Sequence, residues 1–253
     1  MTRWPRPLRI LAALAYGLVL WHVVVWLTDA PRFILPAPLD VAESLWRTRV
    51  TLAENLGFTI VNLIIGLTAG VALGLATAVQ LVLSPSARVL IRPFLIFAQS
   101  VPIFALAPVI TLWLGYGAPS KIVMVMLITY FPVTSAFFDG LVSLPSGFAD
   151  LAQTMRASPW RRLWLLQIPH ALPSLGTGLR LAAVYAPFAV VIGEWVGSSK
   201  GLGYLMLLAN GRGQTSDMFA ALAVLACLSV TLFFSIDALA NRWSLRGRDM
   251  ADL

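Results

Sequence analysis

Side chains able to do chemistry are sparse in this sequence. Its 253 residues include 11 carboxylates, 18 lysines and arginines, two histidines and one cysteine. A metal or nucleophilic site needs several such groups converging on one point. His22 and His170 are distant in sequence, and Cys227 sits alone in an apolar run. No catalytic residue, metal ligand or intrachain disulfide is therefore expected. The stretch Gly197-Ser198-Ser199-Lys200-Gly201-Leu202-Gly203 has glycines like those of a phosphate loop, but lacks the Gly-Lys-Ser/Thr ending that such chemistry requires. No cofactor is expected on this chain. One carboxylate stands out, because Glu194 closes a long apolar run between Gly193 and Trp195. A carboxylate at membrane depth is costly and marks function by default. The alternative is an interfacial carboxylate paired with Arg212 or Lys200. Gln99, Tyr130, Tyr185 and Trp195 are the other candidates for lining a solute path.

Composition sets what must position these groups. The chain is 59% hydrophobic and 11% charged, with a mean hydropathy of +0.84. A soluble globular protein carries about 25% charged residues, so an ordinary soluble enzyme, a disordered chain and a nucleic-acid-binding domain are all excluded. Charges punctuate the sequence at membrane-spanning intervals. Uncharged runs of 19, 33, 28, 17 and 19 residues follow Arg9, Glu54, Arg92, Lys121 and Asp217, against the roughly 20 apolar residues that a helix needs to cross. A further segment, about 174–195, is interrupted only by Arg180, which is expected to snorkel from the segment's start. The reading is an all-α, polytopic membrane protein with six transmembrane helices. The first run is too long for a signal peptide and ends Trp26-Leu27-Thr28-Asp29 without an Ala-x-Ala site, so it reads as a retained helix. With both termini placed in the cytoplasm, twelve lysines and arginines fall inside and six outside, as positive-inside topology requires. The basic charge then reports topology, not nucleic-acid binding.

Between these segments the pattern is specific. Pro36 and Pro38 break the chain before a short polar helix, Leu39 to Thr48. Gly66, Gly70 and Gly74 recur at four-residue spacing, which either lets two helices approach closely or reflects the general abundance of glycine in membrane helices. The third segment contains Pro93, Pro102 and Pro108 and must kink or break. Irregular backbone at that depth has to be buried in protein or line a wet cavity, so Gln99 and Ser100 become polar handles on a path.

The long loop 142–172 carries a second kind of signal. Phe148, Leu151, Ala152 and Met155 follow helical spacing, with Ser146 as the expected N-cap. Ser158 and Pro159 open a second helix, in which Trp160, Leu163 and Trp164 are expected on one face beside Arg161 and Arg162; Ile168-Pro169 is expected to stop it. Such helices either lay an apolar face in a partner's groove or rest on lipid headgroups.

Asp150-x-Ala152, Ala157-Ser158, Trp160, Ile168-Pro169 and Leu172-Pro173 resemble the EAA loop of type I binding-protein-dependent ABC importer permeases. Arg156 stands where the general pattern has glycine, and Asp150 where it has glutamate. Leu35-Pro36-Ala37-Pro38, Trp113-Leu114-Gly115 and Gly201-Leu202-Gly203-Tyr204 are similar to the nitrate/sulfonate/taurine branch. The run Gly193 to Met206, with Gln214-Thr215 and Asp217 to Ala221, resembles permeases for thiamine-precursor pyrimidines such as hydroxymethylpyrimidine. The resemblance implies a transport subunit without its own ATPase site, in the bacterial inner membrane. Its partners would be cytoplasmic ATP-binding subunits that bind the ATP, an extracytoplasmic solute-binding protein and a second permease copy. Coupling would fall to Asp150, Ala152, Arg156, Ser158, Trp160 and Pro169. Glu194 would accept hydrogen bonds from a pyrimidine's amino groups, with Tyr130, Tyr185 or Trp195 stacking on the ring. The division expected is 1–50 for the first helix and outside segment, 51–241 for the permease domain with the coupling loop 142–172, and 242–253 for a cytoplasmic tail. Sulfonate, taurine or nitrate permeases are the alternative within the family; a secondary carrier or channel is the alternative outside it.

Overall fold

The structure is a computed structural model and describes residues 6–249. It comprises eleven described α-helices: α1 Arg6–Thr28, α2 Pro38–Arg47, α3 Arg49–Leu83, α4 Pro85–Ser100, α5 Ile103–Leu114, α6 Ala118–Val142, α7 Ser146–Thr154, α8 Pro159–Arg162, α9 Ile168–Gly197, α10 Leu202–Gly211 and α11 Thr215–Asp249. Each of the six apolar segments is helical. Four helical runs are long and apolar enough to cross a membrane unaided: 49–83, 118–142, 159–197 and 215–242. The third segment is broken, as its prolines required, but only Pro102 breaks it. Pro93 and Pro108 lie inside α4 and α5, while Pro102 caps α5 in extended backbone. At 1.5 Å per residue α4 and α5 are about 24 and 18 Å long, so neither crosses a 30 Å core alone.

The bundle is built around α9, which packs on α6 and α11, with α6 also against α3. Lipid offers no hydrophobic drive between helices, so close backbone approach matters most. The glycine stripe of α3 supplies it: a Cβ on Gly66 would lie 2.6 Å from that of Val125, and one on Gly70 would overlap Thr129 Oγ1 of α6. The close-packing reading of the stripe is therefore the one observed. Gly178 of α9 meets the Pro132 carbonyl of α6 in the same way, at 2.8 Å.

Several expectations need correction. Ile168-Pro169 does not stop the helix of the loop. A π-helical turn, Leu163–Gln167, joins α8 to α9, so the chain is helical without interruption from Pro159 to Gly197. Proline at 169 has no N–H to donate and its ring crowds the carbonyl four residues back. The wider turn, in which Ile168 N–H donates to the Leu163 carbonyl, absorbs both defects. Ser146 is the first helical residue, not the cap, which falls on Pro145. Leu163 is fully buried while Trp160 and Trp164 are exposed, so they do not share a face. Arg180 lies about 18 Å into α9 and does not snorkel: its Nε donates to Asp237 Oδ1 of α11 at 2.6 Å and its Nη2 to Asn241 Oδ1 at 2.7 Å. Lys121 is buried at the start of α6.

Candidate functional site

The end of the bundle carrying α7 and α8 presents an apolar face. Phe148, Leu151 and Met155 of the first helix and Trp160, Trp164 and Leu165 of the second run are all exposed. Exposed apolar groups clustered around short helices mark an interaction surface. The face is held rigidly from behind. Ala152 and Leu163 are buried beneath it, and Ser158 caps α8 through the Arg161 N–H, with Pro159 at the first helical position as expected. The buried Gln167 side chain donates from Nε2 to the Leu141 carbonyl at 3.1 Å, satisfying one of the carbonyls left orphaned at the end of α6. Asp150 is exposed on α7, and Pro169 is half-buried in the first turn of α9.

Arg156 links the two short helices in a left-handed conformation, φ 50°. Its N–H donates to the Gln153 carbonyl and that of Ala157 to the Ala152 carbonyl, both at 2.9 Å. This pair of bonds is the glycine-favouring helix terminus known as a Schellman motif, with Arg156 at the left-handed position. The glycine of the general pattern thus has a backbone reason. An L side chain there costs about 1–2 kcal/mol.

At the opposite end, Glu194 is enclosed by protein. Its Oε1 accepts from Thr59 Oγ1 of α3 at 2.8 Å and its Oε2 from the Gly203 N–H at 2.7 Å. The neighbouring Gly201 N–H donates to Asn55 Oδ1 at 2.7 Å, and the Leu202 N–H to Thr59 Oγ1 at 2.9 Å. These are the leading N–H groups of α10, which have no partner within the helix, and a carboxylate at that end also meets a favourable dipole. Gly201 has φ 113°, and a Cβ there would collide with the Glu194 carboxylate. Lys121 Nζ donates to the Gly197 carbonyl at the end of α9, and to Tyr116 O and Ser120 Oγ at 3.3 Å. Neither Arg212 nor Lys200 pairs with Glu194, as the alternative reading had it. The signal missed in sequence was the pair Asn55 and Thr59 of α3, polar residues at four-residue spacing.

The residues proposed to line a path do not share one surface. Tyr185 and Trp195 are exposed, on the stripe of α9 that also includes Leu181, Val184 and Phe188. Tyr130 is half-buried and its hydroxyl donates to Thr77 Oγ1 of α3 at 3.1 Å. Gln99 lies near the end of α4, and its side chain falls outside the described residues. Among the described residues no cluster of histidine, cysteine and carboxylate side chains suits a metal ion.

A multi-pass helical bundle with an exposed helical loop between its fourth and fifth apolar segments matches a known class. Residues 70–246 fit the model of the family described as "Binding-protein-dependent transport system inner membrane component", and the chain belongs to that family of ABC importer permeases. A probable ABC transporter permease protein of Haemophilus influenzae is 44% identical over 95% of this chain and 98% of its own length. The formylaminopyrimidine transport permease protein ThiX of Halalkalibacterium halodurans is 31% identical, covering 88% of this chain and 90% of that one. The riboflavin transport system permease protein RibX of Chloroflexus aurantiacus is 33% identical, covering 95% and 91%. The fold is also that of a solved chain of the MetNI methionine ABC transporter, at a TM-score of 0.59 and 20% identity, covering 79% of this chain and 97% of that one. The protein is thus a multi-pass transport subunit of a type I importer, a family that works with an ATP-binding subunit and a substrate-binding protein.

Proposed function

We propose that this permease imports a neutral heteroaromatic solute, a thiamine-precursor pyrimidine of the hydroxymethylpyrimidine kind, and that loop 142–172 is the element its ATP-binding subunit moves. Residues 51–241 act as the permease body, with 1–50 adding the first helix and outer segment and 242–253 a tail at the cytoplasmic side, where both termini lie. The observation that carries the coupling reading is mechanical. The α8 part of the apolar face is joined to α9 by unbroken helix, so displacing Trp160 and Trp164 displaces the stripe bearing Tyr185, Phe188 and Trp195. Two copies, related by a two-fold axis, would enclose the path between their α9 stripes. Asp150, Ala152, Arg156, Ser158, Trp160 and Pro169 shape or present the docking face. Alternating access then follows from the different affinities of ATP-bound and ATP-free subunits for two loop positions.

Three observations support the solute class. The Gly193–Met206 run resembles pyrimidine permeases, two relatives are named for formylaminopyrimidine and riboflavin transport, and exposed aromatic rings on α9 suit stacking on a flat solute. Lys121 does not argue for an anion, because its amine is directed at backbone carbonyls. Uptake into vesicles containing the permease, the cognate ATP-binding subunit and the binding protein tests this with labelled hydroxymethylpyrimidine, riboflavin and taurine. Pyrimidine uptake alone is expected. Taurine uptake would transfer the chain to the sulfonate branch.

A further inference from the structure

Arg156 keeps its left-handed conformation although glycine would fit that position without penalty. Strain retained against a cheaper residue points to a side chain with a task. The Arg156 side chain is exposed, and among the described residues it has no hydrogen-bond or ion-pair partner. Met155, next to it in the chain, and Trp160, in the first turn of α8, are 72% and 57% exposed. Arg161 is exposed beyond them, and Arg162 has a buried Nε without a partner. Asp150 is the one carboxylate between residues 146 and 167. Two exposed guanidinium groups, Arg156 and Arg161, therefore accompany an apolar face whose segment has a single carboxylate.

We infer that Arg156 is a specificity residue of the docking face, pairing with a carboxylate on the rim of the groove in which the ATP-binding subunit receives Met155 and Trp160. This rests on the coupling reading above and adds the charge of the receiving surface. An arginine's planar fork matches a carboxylate bidentately. A headgroup is satisfied by any arginine on a mobile surface. A folded partner gains from one whose backbone is fixed by two hydrogen bonds.

The test measures binding of the cognate ATP-binding subunit to the full-length permease in nanodiscs at low and high salt. Arg156→Gly removes strain and charge together. The expected result is a melting temperature at or above the parent's, with affinity falling roughly threefold to thirtyfold at low salt and a weaker salt response. Arg156→Lys is expected to keep the salt response while binding less tightly than the parent. Parental affinity and salt response in Arg156→Gly overturn the proposal. So does a loss seen only with phosphatidylglycerol in the nanodisc, which assigns the arginine to the membrane. Trp160→Ala separates the two layers. If it binds the subunit normally, the coupling reading fails; if it loses binding while Arg156→Gly does not, only the charge assignment fails.

Discussion

Glu194 shows how far one residue's role is set by partners remote in sequence. Its carboxylate bonds to Thr59, 135 positions away, and to the Gly203 N–H. Sequence alone marked it as the carboxylate most in need of explanation, and that much was legible. The register that sets α3 against the α9–α10 turn was not, because it depends on helix packing rather than local pattern. Glu194→Gln keeps one acceptor oxygen but turns an NH₂ toward the second donor, leaving one buried donor unpaired at about 1–3 kcal/mol. The melting temperature of the solute-free protein should fall. A fall in uptake with unchanged stability would instead restore a role in the solute path. Gly201 and Gly213 form an internal control, both at positive φ but only the first with a Cβ position already occupied. Gly213→Ala should cost about 1 kcal/mol or a little more through strain alone, and Gly201→Ala distinctly more. Thermal unfolding in detergent orders the three proteins.

At the scale of elements, the decisive feature is the π turn between α8 and α9. The pair Ile168-Pro169 reads in sequence as a stop, and the same steric facts produce a widened turn when neighbouring elements hold the helix on both sides. Gln167 is the visible tie, its amide donating to the Leu141 carbonyl at the end of α6. Removing it has graded consequences. Gln167→Leu leaves a buried carbonyl unpaired, at about 1–3 kcal/mol, and Gln167→Glu places a carboxylate against that carbonyl at greater cost. Stability should therefore fall in the order parent, Gln167→Leu, Gln167→Glu. ATP hydrolysis by the assembled transporter should become less dependent on solute in the same order, since the run from α8 to α9 would no longer be tied to α6. That the third segment would kink or break was legible beforehand, though not that Pro102 alone would break it, and close packing by the α3 glycines was one of the two readings that the sequence left open.

For the whole molecule the open surface of α9 is the informative one. Two-thirds of its membrane span is buried, yet Leu181, Val184, Tyr185 and Phe188 form an exposed ridge on it. Either lipid or a second subunit covers such a ridge, and its aromatic rings suit the second. The arrangement proposed is a two-fold pair of permeases, in which a residue near the axis meets its own copy. Cysteine cross-linking tests this directly. Cys227 is exposed on α11, so a Cys227→Ser background comes first. In that background Phe188→Cys should form an intermolecular disulfide in membranes, while Leu222→Cys, on the exposed side of α11, should not. The yield at position 188 should also change when the ATP-binding subunits are trapped with ATP, because loop and ridge belong to one helical run. Efficient pairing through Leu222→Cys and none through Phe188→Cys would move the subunit interface to α11 and take the solute path away from α9.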